Sequence, residues 1–367
     1  MKWLDNLKLM RLDWYIIKKF LGTYFFSLAL IIIVIVVFDY NEKIDKFATS
    51  NATASEIIFD YYFNFAPSLA NTFSALFVFI SVIYFTSKLA DNSEIIAMFA
   101  SGVSFRRLMK PYMVSAAIIS IMTFVLSAYI IPRGNETRLA FEQQHNRKKK
   151  AESAANIQIK LDENTIAYME RFESRNNMGW RFSLDRIEEK KLVSHMTAAT
   201  ITYNPDKPHT WTARRWMIRE LRDDVEVIRS SNREPLDTVI PLEPSDFLIS
   251  EGEQETMTSP ELSDYIDKQK ARGMANIQGF EIEYHKRIAM SFAAFILTVI
   301  GASLSSRKKK GGMGLSLGIG LALSFSYILF QAISSAFAAQ MPVALAVWLP
   351  NILYTFIAIY LYRKAPR

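Results

Sequence analysis

Three apolar runs, a polar stretch of about 150 residues and three further apolar runs divide this chain of 367 residues. The runs cover 20–38, 67–87, 112–131, 288–304, 315–336 and 343–362. Each is close to the roughly 20 residues that carry a helix across a bilayer core. In lipid the backbone must satisfy its own hydrogen bonds, so such runs are helices. The reading is an α+β membrane protein with six transmembrane helices, three plus three. Its parts are 1–132, 133–282 and 283–367, and the middle part is long enough for a core of its own.

Basic residues in the short connections set the orientation. Lys2, Lys8, Arg11, Lys18 and Lys19 precede the first span, and Lys88, Arg106, Arg107 and Lys110 follow the second. Arg307, Lys308, Lys309 and Lys310 follow the fourth, and the chain ends in Arg363, Lys364 and Arg367. All four groups belong in the cytoplasm, which puts both termini there and the large domain outside. No small-residue cleavage site follows the first run, so it is expected to stay as an anchor. The formal charge of +7 belongs to these connections, because 133–282 holds 23 Lys plus Arg against 26 Asp plus Glu, a net of −3. The excess is a topology signal and not a nucleic-acid footprint. With no cysteine, disulfides and thiolate metal sites are excluded.

The middle part reads as β-rich. Segments 156–161, 165–172, 180–184, 198–203 and 210–218 are short and rich in aromatic or β-branched residues, with Asn, Gly and Pro between them. Strands at this spacing favour a sandwich or a jelly roll. An amphipathic helix follows, with Ser259 as N-cap, Pro260 at its first position, Leu262, Tyr265 and Ile266 on one face and Gly273 closing it.

Motifs for chemistry are missing. There is no GxxxxGK[ST] phosphate loop and no HExxH, and the four histidines, His145, His195, His209 and His285, are scattered. The second, third, fifth and sixth runs contain no charged residue, which argues against an active site in the membrane. No cofactor and no metal are expected. Gly311, Gly312, Gly314, Gly318 and Gly320 lack the strand before and the acid after that a nucleotide loop needs. Close helix packing through Gly314 and Gly318 is the better reading. Phe25, Phe26, Phe63, Phe73, Phe77, Tyr327 and Phe330 are candidates to line a cavity, although aromatic residues in spans more often serve packing. The run 147–150 reads as a solvated linker.

The connection NSEIIAMFASGVS (92–104) stands out. Asn92 or Ser93 can cap a helix, Glu94 lies in its first turn, Ile95, Ile96, Met98 and Phe99 are apolar, Gly102 can end it and Ser104 can cap the next span. One reading is an interfacial hairpin whose Arg106, Arg107 and Lys110 meet anionic headgroups. The other is a docking helix of about 92–102 that fits a groove on a cytosolic partner, with Ile95, Ile96 and Phe99 as anchors and Glu94 facing a basic pocket.

NSEIIAMFASGVS resembles the coupling-helix signature of the LptF/LptG permeases, which export lipopolysaccharide from the inner membrane of Gram-negative bacteria. LDWYIIKKF (12–20), TIAYMERF (165–172) and WLPNILY (348–354) add to the likeness, as do the six spans with a β domain after the third. The resemblance covers essentially the whole chain and leans to the LptG side.

It implies a permease subunit of an ABC transporter with a periplasmic β-jellyroll. Its expected partners are a second LptF/LptG-type permease, an LptB-type ATPase dimer, an LptC-type membrane-anchored protein and lipopolysaccharide. ATP hydrolysis falls to the partner ATPase, and the lipid passes to a periplasmic bridge joined by strand addition. Glu94 matches the family's acidic coupling residue, with Ile95, Ile96, Phe99 and Arg106 beside it. An anionic sugar head calls for cations at the outer boundary. Lys43, Lys46, Arg133, Arg138, Lys286 and Arg287 are the candidates. Asp39 with Lys43 and Glu42 with Lys46 are also i,i+4 pairs that would merely support a helix end. The family carries a basic residue earlier in the first span, where this chain has Val36 or a neighbour. Two other readings stay open, a permease of another lipid or lipoprotein-releasing system and a scaffold that only displays its outer domain.

Overall fold

The computed structural model describes residues 10–50, 52–145, 153–189, 191–222, 225–244, 252–271, 277–306 and 312–365. The expected linker 147–150, the basic run 307–310, Gly273 and Gly311 lie outside them. By contacts the chain divides into two compact units, one of residues 1–146, 255–259 and 281–367, the other of 147–254 and 260–280.

The first unit is helical, and its described residues hold six helices long and apolar enough to cross a membrane. Helix α1 is Arg11–Thr49, α2 is Ala54–Asp91, the short α3 is Glu94–Ala100 and α4 is Phe105–His145. The other three are named here α6, Gln278–Ser305, α7, Gly312–Ala336, and α8, Val343–Lys364; α5 belongs to the second unit. Several ends follow from capping. Thr53 and Glu56 open α2 as a reciprocal capping box, the Glu56 carboxylate accepting from Thr53 N–H at 2.7 Å. Ser104 Oγ accepts from Arg107 N–H at 3.3 Å and opens α4, as its position suggests. π-helical turns over Ile57–Tyr62 and Leu126–Ile130 interrupt α2 and α4.

Ile16, Phe20, Tyr24 and Leu28 follow one another at four-residue steps and bury one stripe of α1. The stripe joins a core built with Val78, Val82 and Phe85 of α2 and Leu108, Tyr112 and Ile119 of α4. Two buried tyrosine hydroxyls beside it are paired. The hydroxyls of Tyr24 and Ser74 lie 2.7 Å apart, and those of Thr86 and Tyr112 2.9 Å. Phe79 and Ile83 of α2 pack in a second cluster with Leu297, Ile300, Tyr327 and Tyr354 of α6, α7 and α8. Gly320 rather than Gly314 or Gly318 makes the tight glycine contact of α7. A Cβ on Gly320 would lie 2.1 Å from Ile83 Cδ1, whereas Gly314 and Gly318 have nothing within 4 Å. Two residues along a helix is about 200°, so the expected pair of glycines sits on the opposite face.

The second unit contains one seven-stranded antiparallel sheet. Its strands are β1 Ser153–Lys160, β2 Thr165–Glu173, β3 Met178–Glu188, β4 Lys191–Tyr203, β5 Thr210–Arg222, β6 Val225–Ser231 and β7 Leu236–Val239. They pair in chain order from β1 to β6, and β7 returns to pair with β5. Registers Ile157↔Met169, Met169↔Phe182 and Phe182↔Ala198 line up buried side chains across four strands. Trp211 lies fully buried in contact with Phe172, and its indole N–H donates to the Leu242 carbonyl at 2.8 Å. Between β1 and β2 the Asp162 carboxylate accepts from Asn164 N–H at 2.8 Å, and that bond holds its pKa below the usual carboxylate value. Helix α5, Ser259–Ala271, buries Leu262 and Ile266 and stacks Tyr265 on Phe280, the face expected for it.

Candidate functional site

Two places in the helical unit gather the residues singled out above. The first is α3 with its flanks. Ser93 precedes it with φ +62° and makes no side-chain cap, and Gly102 follows it with φ +87°. Left-handed residues at both ends turn the chain sharply out of α2 and into α4. Ile95 is fully buried in the α1–α2–α4 core, while Ile96 is 51 % exposed. Phe99 and Met98 pack partly against the same core, and Arg106 is exposed. One apolar residue thus roots α3 and another is presented outward.

Helix α1 meets this segment twice. The Tyr15 hydroxyl donates to Glu94 Oε2 at 3.1 Å, and Asn92 Nδ2 donates to Glu94 Oε1 at 3.4 Å. Two residues earlier, Asp13 accepts two bonds of 2.7 Å from the guanidinium of Arg107, in the first turn of α4. Arg107 is therefore an internal partner and not a free headgroup contact. Neither Asp13 nor Tyr15 was readable as a partner from spacing, because 94 and 79 positions separate the pairs.

The second place lies toward the other end of α1. Lys43 Nζ donates to Asp39 Oδ1 at 2.8 Å and to the hydroxyl of Tyr61, and Tyr62 donates to Asp39 Oδ2 at 3.1 Å. The π-turn of α2 delivers these two consecutive tyrosines. Lys43 lies 5.7 Å from the Phe65 ring centre and the Arg138 guanidinium lies 5.5 Å from it, so both cations lean on one ring. Phe47 and Phe141 enclose Tyr61 from α1 and α4. Arg138 also lies 3.9 Å from Glu142. The cluster offers two cations and two phenols just beyond the end of the apolar runs. Such a set can take an anionic group in exchange for its own carboxylates.

The other candidates are spread out. Lys46 is exposed, Arg133 is exposed 3.5 Å from Glu136, and Lys286 is nearly half exposed 4.0 Å from Glu283. Arg287 is only 4 % exposed. It bonds Glu283 at 2.9 Å, the Met257 carbonyl at 2.9 Å and Ser259 Oγ at 3.3 Å. Asn135 of α4 holds the same return segment by a 3.2 Å bond to the Glu255 carbonyl. Arg287 is thus committed to the chain's own backbone, with its charge matched inside the fold.

Six bilayer-length helices with an antiparallel sheet inserted after the third define a multi-pass membrane protein with an inserted β domain. Residues 14–364 match the model of the lipopolysaccharide export system permease LptF/LptG family, and the chain belongs to that family. Compared with curated proteins one by one, it has no significant match. The family is one of transporter permeases, which suggests a multi-pass inner-membrane protein with a place in the lipopolysaccharide export system and no enzyme activity of its own.

Proposed function

We propose that the chain is one half of an ABC exporter that extracts lipopolysaccharide from the inner membrane and hands it to a periplasmic bridge. A separate cytosolic ATPase of the LptB type drives it, a second LptF/LptG-type permease completes the pathway, and an LptC-type protein joins the pair. Both termini lie in the cytoplasm and the sheet domain in the periplasm, as the basic connections favour. The observation that carries this reading is the build of α3. A seven-residue helix sits between two spans with Ile95 buried, Ile96 exposed and Glu94 held by Tyr15. A rigidly rooted helix with an apolar tip and an acid is the form a docking element needs.

Glu94, Ile95, Ile96, Phe99 and Arg106 make or support the ATPase contact. At the opposite boundary Lys43 and Arg138, with Tyr61 and Tyr62, favour contact with the phosphorylated head of the lipid, and the exposed Lys46, Arg133 and Lys286 add supporting contacts. Purification from native membranes tests the docking reading. Wild type should bring down the ATPase and the second permease, and Glu94→Lys and Ile96→Asp should lose the ATPase while keeping the permease. Retention of the ATPase by both variants would sink it.

A further inference from the structure

We propose that Asp13 and Arg107 are positioning residues, a clamp that delivers a displacement of α3 to the first span. This rests on the reading of α3 as the ATPase contact. Asp13 is 1 % exposed and accepts two parallel bonds from Arg107, and its Oδ2 also accepts the Met10 N–H at 2.7 Å. One carboxylate therefore starts α1 and ties it to α4. Arg107 lies in the first turn of α4, where the helix dipole disfavours a cation, so the buried carboxylate offsets a local cost. The ion pairs Asp39–Lys43, Glu136–Arg133, Glu142–Arg138 and Glu283–Arg287 each lie within one helix. Asp13–Arg107 instead joins two spans.

The layout gives the clamp leverage. The first turns of α1 hold both flanks of α3, Glu94 through Tyr15 and the α4 start through Arg107. Between these two holds α3 is bounded by the left-handed Ser93 and Gly102. Buried residues of α1 end at Leu28, and only 17 % of its most apolar window is buried, the lowest share of the six spans. Between Leu28 and the Asp39 and Lys43 contacts with Tyr62 and Tyr61 no α1 residue is fully buried, so the middle of the span has few packing restraints and its tilt about that far hold follows from how the near end is held. A push on α3 moves the Glu94–Tyr15 and Arg107–Asp13 links together and tilts α1.

The test uses the full complex with its ATPase, reconstituted with lipopolysaccharide. Asp13→Asn and Arg107→Gln should keep the ATPase bound and hydrolysing, while lipid released per ATP falls by about tenfold, within the usual range of site-to-site coupling. The exchange Asp13→Arg with Arg107→Asp should restore much of that ratio. A purely structural role would lower hydrolysis and release together and show no rescue. Because the chain has no cysteine, spin labels can also be placed at Ile33 on α1 and Ile121 on α4, both 64 % exposed. Their separation should be narrow in wild type and broad in the single variants. This distance reads the clamp even if no ATPase copurifies, a result that would refute the docking reading alone. Unchanged distances together with an unchanged release ratio would overturn the clamp.

Discussion

Ser334 Oγ on α7 donates to the Ala346 carbonyl on α8, the oxygen left without its helical partner because Pro350, four residues on, has no N–H. Gln331 Nε2 supplies the next carbonyl, Val347, at 3.2 Å, and Asn351 reaches the Ala289 carbonyl of α6 at 2.7 Å while accepting from the Tyr327 hydroxyl at 2.8 Å. The carbonyls freed around the proline of WLPNILY are therefore answered by side chains of one neighbouring helix, α7. Ser334→Ala should lower the unfolding free energy of the detergent-solubilised chain by about 1–3 kcal/mol, the cost of an orphaned buried carbonyl. Combining it with Pro350→Ala should recover most of the loss, because the helix can then satisfy the oxygen itself. Thermal melting of the four forms checks this.

Gly320 and Gly318 should behave oppositely. Alanine at Gly320 drives a methyl into Ile83 and should cost about 1–3 kcal/mol as overpacking, with relief from Ile83→Val. Alanine at Gly318 meets open space and should be neutral or slightly stabilising through better helix propensity. The two melting temperatures should move in different directions.

In the sheet, a Cβ on Gly179 would lie 2.2 Å from the sulfur of the buried Met169. Gly179→Val should lower stability by about 1–3 kcal/mol or more, and Met169→Ala in the same chain should give part of it back. Limited proteolysis of the full chain, read within 153–244, follows the effect.

Lys43 and Arg287 separate by role. Under the proposed function, Lys43→Ala should weaken lipopolysaccharide retention in the purified complex by about tenfold, equal to about 1.4 kcal/mol. Arg287→Ala should act on folding instead, at about 1–3 kcal/mol, because it removes the buried donor to the Met257 carbonyl and leaves Glu283 only the more distant Lys286. Quantifying bound lipid beside melting temperature distinguishes them.

The spans were legible because a bilayer accepts little except long apolar runs. Their true lengths were not. α1 continues to Thr49 and α4 to His145 through polar residues that no capping signal interrupts. Strands β1 to β5 carry aromatic and β-branched patterns, whereas β6 and β7 are short, largely exposed and charged enough to pass for loop. Spacing named the glycines of α7 but not their phase. The motif at 92–104 gave the position of α3 and the cap of α4, and the i,i+4 rule gave Asp39–Lys43. Asp13–Arg107, Tyr15–Glu94 and Lys43–Tyr61 join residues far apart in the chain, and no local period reports such pairs.

Under the proposed function this chain moves lipopolysaccharide under the drive of a separate ATPase. The most direct measurement is ATP-dependent release of lipopolysaccharide from vesicles holding the purified complex to a soluble acceptor, with wild type beside Glu94→Lys. The account predicts release with wild type that needs ATP and is lost in the variant. Release that is independent of ATP, or equal in both proteins, would contradict it.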